Sequence, residues 1–404
     1  MLTYRALFAQ PEFRALWTSS ALSTLAATTS SLALATVVHR ETGSALLTAV
    51  AMFGPSVAQV LGATTLMSAA DASPPRRTLT VVGLLGAGVL GLQTIPDLGT
   101  TTRLLLVLGS AYVLSVGSGA RWGLLSEIVP TDGFPLARST MNVAVGAFQV
   151  VGFATGGLLL AGLTASQVFL LAAVVSAAAV PVLRFGISER APRRTARAGI
   201  RETWRGNREL LAHRHTRTLL VALAVPNGLV VGCEALFVPY AGERGGWLLA
   251  AGAVGMMAGD LVVGRFLTAE ARRRTSTPLR LLLAAPFLVF VLEPPLPVAC
   301  VLVASATAGY AASLTQQEWL VALTAPDLRG QVLGAESSLR MTLQGVCAVL
   351  AGALADLIPV GTAMTVLAGA SLAVSFCLTP ALRRAADAAT PSRAGEPAPY
   401  AGSS

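Results

Sequence analysis

Residues 165–186 read ASQVFLLAAVVSAAAVPVLRFG, an apolar stretch whose one charged residue, Arg184, stands near its end. A helix of about 20 apolar residues is long enough to cross the hydrocarbon core of a bilayer. The chain continues at 188–210 with SERAPRRTARAGIRETWRGNREL, which is polar and rich in arginine. An apolar stretch that runs into a basic one predicts a membrane helix that ends on the cytoplasmic side.

Similar apolar stretches fill most of the chain. Of the 404 residues, 54% are hydrophobic and 12% are charged, whereas soluble domains carry about 25% charged residues. This composition excludes an ordinary soluble protein, and the sequence predicts an all-α polytopic membrane protein. We place twelve transmembrane segments at 14–38, 44–70, 77–95, 101–126, 136–162, 165–186, 217–240, 246–268, 278–294, 296–322, 334–356 and 359–382.

These segments form two groups of six around the basic stretch. Positions of the fifth segment match positions of the eleventh at one offset of 195: Gln149 and Gly157 match Gln344 and Gly352 as identical residues, and Ala161 matches Asp356. A repeat of this period is expected of a duplicated transporter, so we predict two pseudo-symmetric six-helix bundles. The predicted organisation is an N-terminal bundle at 1–186, a basic cytoplasmic linker at 187–216, a C-terminal bundle at 217–384 and a disordered cytoplasmic tail at 385–404. Within the linker, Trp204, Leu210 and Leu211 fit one face of a short interfacial helix; a solvated linker is the alternative.

The arginines set the expected orientation. The chain has 29 basic residues, all arginine, and a formal net charge of +9. With the N-terminus inside the cell, only Arg40, Arg103 and Arg244 fall in outer loops. Because arginine-rich loops stay in the cytoplasm, we predict a multi-pass protein of the plasma membrane with both termini cytoplasmic. The arginines separate apolar segments and do not form a basic surface, so we expect no nucleic-acid partner.

Three stretches carry a resemblance to a known family: PEFRALW at 11–17, ARWGLLSEIVP at 120–130 and PDLRGQV at 326–332. Residues 10–385 resemble the major facilitator superfamily and, within it, the drug-exporter branch that contains macrolide-efflux and enterobactin-export proteins. The resemblance implies two bundles that rock about a central cavity in a monomeric protein. The superfamily signature between the second and third helices survives here only as Asp71, Arg76 and Arg77.

Charged side chains inside the membrane are candidates for function, because each costs at least ~2.5 kcal/mol at the bilayer centre. Glu234 and Asp260 stand in the seventh and eighth segments, where burial disfavours the charged form of a carboxyl group and lets it hold a proton. We take both as proton-coupling candidates; a polar pair without a coupling role is the alternative. Charged residues near the cytoplasmic boundary are candidates for an ion-pair gate: Asp71, Arg76, Arg77, Arg121, Glu127, Glu318, Glu336 and Arg340.

For substrate contact, the family architecture points to the first, fourth, seventh and tenth segments. Aromatic side chains beside sparse polar groups suit an amphipathic ligand, although the same side chains also serve helix packing. The substrate-cavity candidates are Ser23, Thr24, Thr28, Tyr112, Asn227, Phe237, Tyr310, Gln316 and Gln317.

Together these features predict a secondary-active transporter that exports a small amphipathic compound by alternating access, coupled to proton influx. The expected partners are that substrate, protons and the lipid bilayer. The sequence has no phosphate loop and no H-E-x-x-H motif, so we expect no enzymatic activity, no cofactor and no metal site. Two alternatives stay open: a metabolite importer, and a non-transporting membrane partner or regulator on a transporter scaffold.

Overall fold

A computed structural model describes residues 3–66, 73–130, 133–191, 213–325 and 329–389. Within these ranges the regular structure is helical and contains no strand, which confirms the predicted all-α fold. Ten stretches of the described chain are long and apolar enough to cross a membrane. One of them, Arg214–Phe266, holds two helices. The helix Pro75–Leu92 falls outside the ten because the two arginines in its first turn lower its mean hydropathy. Each of the twelve predicted segments therefore corresponds to a helix.

The first half of the chain opens with a short helix, Tyr4–Ala9, ahead of the membrane helices. Among its membrane helices, the fourth is interrupted at Ser115. The sixth begins with a capping box, in which the side chains of Thr164 and Gln167 each bond the other residue's backbone amide. The helices are α1 Pro11–Thr42, α2 Ala45–Thr65, α3 Pro75–Leu92, α4 Thr100–Leu114 with Val116–Ile128, α5 Phe134–Gly162 and α6 Ala165–Gly186.

The second half repeats this order with more irregular turns. Gly242, whose φ is +58°, separates the first two helices of this half. Glu293, whose φ is +49°, ends the third helix, ahead of a proline-containing turn. The helices are α7 Arg214–Ala235 with Phe237–Ala241, α8 Gly245–Leu261 with the π-turn Val262–Phe266, α9 Ala269–Leu282 with the 3-10 stretch Ala285–Leu292, α10 Leu296–Ala308 with Gly309–Ala311 and Ala312–Ala322, α11 Arg329–Ala355 and α12 Val360–Ala389.

Two boundaries differ from the predicted ones by seven residues or more, and the others by fewer. Helix α9 begins at Ala269 and not at 278, because Thr268 caps it: its hydroxyl accepts a bond of 3.3 Å from the amide of Ala271. The arginines at 272–274, expected in a loop, therefore lie on a helix. Helix α12 runs to Ala389, so residues 385–389 of the predicted tail are helical. The linker residues 192–212 and the tail residues 390–404 lie outside the described ranges.

Helix packing repeats between the two halves. Helix α1 packs against α5 and α6 as α7 packs against α11 and α12, and the contacts α2–α4 and α3–α6 recur as α8–α10 and α9–α12. The halves meet along α2–α11 and α5–α8. These two contacts are also equivalent, because α2 corresponds to α8 of the other half and α11 corresponds to α5. The packing thus has the symmetry that the sequence repeat predicts.

Glycines allow the halves to touch at one end of the bundle. A Cβ atom on Gly352 would lie 2.6 Å from the Cα of Leu46, and one on Gly246 would lie 3.0 Å from the Cα of Gly157. The matched glycines at 157 and 352 therefore both lie at contacts between the halves. We call this end, which carries the α1–α2, α7–α8 and α11–α12 connections, the sealed end; the opposite end, which carries α1's first and α12's last residues, is the open end.

Toward the open end the halves separate. The α5–α8 contact gives way to Val143, which is 65% exposed, and to Asp260, which is also exposed. On α11, Ser338 continues the line of Gly352 at helical spacing and is exposed. The two halves therefore enclose a cleft that widens away from the sealed end.

Candidate functional site

A carboxylate and a phenol meet inside the C-terminal half. The Tyr310 hydroxyl donates a hydrogen bond of 3.1 Å to Oε1 of Glu234. Glu234 is half-buried near the end of α7, between the buried residues Cys233 and Ala235. Tyr310 lies in the 3-10 turn that interrupts α10, a kind of interruption that often marks a functional hinge. The sequence analysis placed these two residues in different roles, and the structure brings them together.

More polar side chains continue this arrangement toward the open end. Asn227 lies two turns before Glu234 on α7, and Ser313 lies one turn after Tyr310 on α10. Asn227 Nδ2 donates a hydrogen bond of 3.2 Å to Ser313 Oγ. We call the set Glu234, Tyr310, Asn227, Ser313, Gln317, Glu336 and Arg340 the polar row. It runs along α7, α10 and α11 within an otherwise apolar half, as expected of a pathway for a polar or charged species.

The polar row ends in an ion pair. Glu336 is 2% exposed, and its Oε1 accepts a bond of 2.9 Å from Nε of Arg340, one turn later on α11. Its Oε2 accepts a bond of 3.3 Å from Nε2 of Gln317 on α10. Because a buried charge is tolerated only when it is paired and hydrogen-bonded, this end of the row is electrostatically satisfied.

The break in α10 has a counterpart in α4. Helix α4 is interrupted at Ser115, 195 positions before Tyr310, which is the spacing of the sequence repeat. Ser115 Oγ donates to the carbonyl of Tyr112 at 2.7 Å, and the Tyr112 hydroxyl lies 2.8 Å from Oγ1 of Thr65 on α2. Tyr112 therefore joins α4 to α2. The helix break is present in both halves, whereas the Glu234–Tyr310 hydrogen bond is found in the C-terminal half.

The predicted gate residues pair within their own halves. Glu318 accepts from Arg272 at 2.8 Å in the C-terminal half. In the N-terminal half, Arg190 lies 3.4 Å from Glu127 and also bonds Glu12. Arg76 contacts Glu189, Arg77 is exposed, and Arg121 is half-buried. The ion pairs that the structure describes at the open end each join two residues of one half, an arrangement consistent with parted halves there. Asp71 lies outside the described residues.

Two substrate candidates, Thr28 and Phe237, lie in contacts between helices. Phe237 is 1% exposed and stacks on Phe287 with ring centroids 6.2 Å apart, in the core of the C-terminal half. Thr28 donates to the carbonyl of Thr24 at 2.9 Å and packs against Gly152 of α5. In this structure each of the two side chains fills a helix contact, and a role in substrate contact stays a prediction.

The other candidates have varied positions. Ser23 and Thr24 are half-buried on α1, Gln316 is buried on α10, and Asn227, Tyr310 and Gln317 belong to the polar row. Asp260 is exposed on α8 beside the cleft, and among the described residues it has no hydrogen-bond or ion-pair partner. Of the two proton-coupling candidates, Glu234 alone has a described hydrogen-bond partner.

The sequence analysis missed a link between the halves at the sealed end. Oδ1 of Asp356 accepts a bond of 2.6 Å from the amide of Ala45, and Oδ2 accepts from Ser44 Oγ at 2.8 Å and from the amide of Leu46 at 3.4 Å. A carboxylate is favoured at the N-terminus of a helix, here α2, by the unpaired amides and the helix dipole. We call this set, Asp356 with Ser44, Ala45 and Leu46, the latch. The sequence contained a signal for this link, because Asp356 is a charged residue at the position where the first half of the repeat has Ala161.

A second interaction joins the halves nearby. Arg40, at the end of α1, forms an ion pair with Glu243 in the connection between α7 and α8. Both side chains are about half exposed, at 54% and 48%, so solvent screens the pair and its contribution is small. The latch, with backbone amides as donors, is the more directional of the two contacts.

Comparison with known proteins agrees with this architecture. The model of the Major Facilitator Superfamily matches residues 16–341. The chain is 28% identical over 348 residues to the multidrug efflux pump Tap of Mycolicibacterium fortuitum, a match that covers 79% of this chain and 83% of that protein. A bacterial homologue of the human lysosomal transporter Spinster, inward-facing and occupied, has a TM-score of 0.67 at 14% identity, with 96% and 97% of the two chains covered. A POT family transporter in complex with a thioalcohol-conjugated peptide has a TM-score of 0.74 at 8% identity, with 92% and 96% covered.

Proposed function

Because the chain belongs to the major facilitator superfamily, we propose that this multi-pass membrane protein is a secondary-active exporter of small amphipathic compounds, driven by proton influx. The predicted resemblance to the drug-exporter branch is confirmed by the family match and by the similarity to an efflux pump. In this proposal the cleft alternates between the two sides of the membrane as the halves rock. Export is supported by the name of the relative, and the amphipathic substrate by the sparse polar groups among apolar helices.

The observation that carries the proposal is the hydrogen bond between Tyr310 and Glu234 within the polar row. A carboxyl group in this position exchanges its proton with the cleft, and the phenol holds it in one orientation. Loss of the proton leaves a negative carboxylate, whose charge a cationic substrate can neutralise in place of the proton, so the proton and the substrate compete for the site. Asp260, exposed beside the cleft, is the second acid that this exchange can use.

Orientation completes the proposal. The open end carries most of the arginines, including Arg76, Arg77 and the three at 272–274. Because arginine-rich connections stay in the cytoplasm, both termini are cytoplasmic and the described cleft opens inward. The membrane is then the plasma membrane, and a monomer is sufficient for function.

Accumulation of ethidium, a fluorescent amphipathic cation, tests the proposal. Cells that express the wild type should retain less dye than cells with empty vector, and Glu234→Gln and Asp260→Asn should restore retention. Glu293→Gln serves as control, because this exposed acid lies in the α9–α10 turn at the sealed end. A protonophore should abolish wild-type efflux.

Other outcomes would favour the alternatives. Uptake that rises with expression would support an importer. Equal retention in vector, wild type and variants, across a panel of cationic and neutral amphipathic compounds, would support a non-transporting partner. The control variant distinguishes loss of function from loss of the protein, provided that membrane levels are measured for each variant.

A further inference from the structure

A second cavity lies at the open end, on the side of the C-terminal half where α9, α10 and α12 meet. Its volume is about 600 Å³. None of its lining residues belongs to the polar row, so it is separate from the proposed transport pathway. Four arginines and one tryptophan line it, with a single acid: Arg273, Arg274, Arg280, Arg383, Trp319 and Asp387.

The charges around this cavity do not balance. Asp387 pairs with Arg273 at 2.5 Å, and Arg274 pairs with Glu270 at 2.9 Å. Among the described residues, neither Arg280 nor Arg383 has a carboxylate partner. The cavity wall therefore carries an excess of positive charge at the level of the helix ends, where lipid headgroups lie.

Arg280 is the fixed element of this wall. Its side chain is 2% exposed, and Nη2 donates to the carbonyl of Ser375 at 2.7 Å and to Thr379 Oγ1 at 2.8 Å. Nε is buried without a hydrogen-bond partner in the described chain. These neutral acceptors orient the guanidinium but leave its charge without a counter-ion, which is costly for a buried arginine.

We propose that this cavity binds a phosphoryl group, carried either by an anionic phospholipid or by a soluble phosphate compound. Nη2 of Arg280 is engaged by Ser375 and Thr379, so Nη1 and Nε are the donors that would meet phosphate oxygens, and the exposed Arg383 and Arg274 close the site from the aqueous side. Trp319 supplies an apolar wall suited to the glycerol region of a lipid. A bound phosphoryl group would supply the counter-ion that Arg280 lacks.

Lipid binding to the purified full-length protein in neutral detergent, followed by native mass spectrometry, tests this site. Phosphatidylglycerol should bind the wild type more tightly than phosphatidylcholine. Each arginine near a headgroup contributes about 1 kcal/mol, so Arg280→Gln should weaken phosphatidylglycerol binding at least about fivefold. Because Arg280 is buried, its replacement also tests folding. The double variant Arg274→Gln/Arg383→Gln removes two exposed arginines and provides the second measurement, with an expected loss of about 25-fold.

The matched control is Arg184→Gln/Arg265→Gln, which removes two exposed arginines of the open end outside the cavity. A parallel titration with orthophosphate, read as the midpoint of thermal unfolding, separates the two sources. Stabilisation by orthophosphate that the cavity variants lose indicates a soluble ligand, whereas selective loss of phosphatidylglycerol binding indicates the lipid. Equal binding of phosphatidylglycerol by wild type, cavity variants and control, together with no orthophosphate effect specific to the wild type, would overturn the proposal.

Discussion

Replacement of Asp356 by alanine should shift the protein toward conformations in which the sealed end is parted. The carboxylate accepts one short bond from a half-buried backbone amide, at 2.6 Å, one from the exposed Ser44 hydroxyl and one long bond of 3.4 Å. A carboxylate at a partly buried helix N-terminus contributes up to about 2 kcal/mol, and the exposed bonds add little. We therefore expect a loss of about 1–2 kcal/mol, which changes the ratio of conformations about 5- to 30-fold. Since the latch joins the two halves, this loss affects only conformations in which they touch at that end.

Spin labels across the sealed end measure this shift. Thr101 and Leu292 are exposed residues of opposite halves at that end, and both can be replaced by cysteine. Cys300 and Cys377, the native cysteines that are not buried, are first replaced by alanine. Pulsed dipolar spectroscopy should show a longer-distance population that grows in Asp356→Ala and grows less in Asp356→Asn, which keeps an acceptor but loses the charge. Asp97→Ala, an exposed acid of the same end, is the control. Distance distributions that are the same in Asp356→Ala and the wild type would refute the assignment of the latch.

Three further variants test separate contacts. Gly352→Ala places a Cβ 2.6 Å from the Leu46 Cα and should cost about 1–3 kcal/mol, parting the sealed end in the same spin-label assay, whereas Gly369→Ala meets open space and should have no effect. Arg103→Gln should lower thermal stability in detergent by about 2–4 kcal/mol, because Arg103 is 3% exposed and donates to the carbonyls of Gln93, Ile95 and Leu98; the exposed Arg77→Gln should change stability little. Tyr310→Phe removes the donor to Glu234, a bond of about 0.5–1.5 kcal/mol, and should slow ethidium efflux about two- to tenfold, whereas Tyr112→Phe should slow it less.

The fold was accessible from the sequence because a membrane helix is specified locally. Twenty apolar residues leave the backbone no alternative to internal hydrogen bonds, so hydropathy alone places the helices. The repeat located the inter-half glycines at 157 and 352 for a similar reason, since duplicated halves place matched residues at matched contacts. The error at the start of α9 arose where a polar, arginine-rich turn is helical through its cap and an ion pair between Glu270 and Arg274.

The site was less accessible, because the partner of each charge depends on how helices meet. The sequence marked Glu234 and Tyr310 separately but gave no sign that one donates to the other, since 76 residues separate them. Thr28 and Phe237 are residue types that also line substrate cavities, but in the structure their side chains pack between helices. Arg103 was counted as an outer-loop charge, yet the carbonyls of its own loop surround its guanidinium. In each case the position of the side chain depends on a tertiary or loop contact that hydropathy does not encode.

In the C-terminal half, helices α7 and α11 connect the polar row to the latch. Helix α11 carries Glu336 and Arg340 near the open end, and Asp356 directly follows its last residue at the sealed end, so the helix links the polar row to the latch. Helix α7, which carries Glu234, packs closely on it: a Cβ on Gly232 would lie 3.0 Å from the carbonyl oxygen of Cys347. Because these two helices pack so closely, we expect the change in charge at Glu234 that the proposed proton exchange requires to act on the helix that leads to the latch. In the N-terminal half, Ala161 stands at the position that matches Asp356, so the α5–α8 contact has no carboxylate at that position.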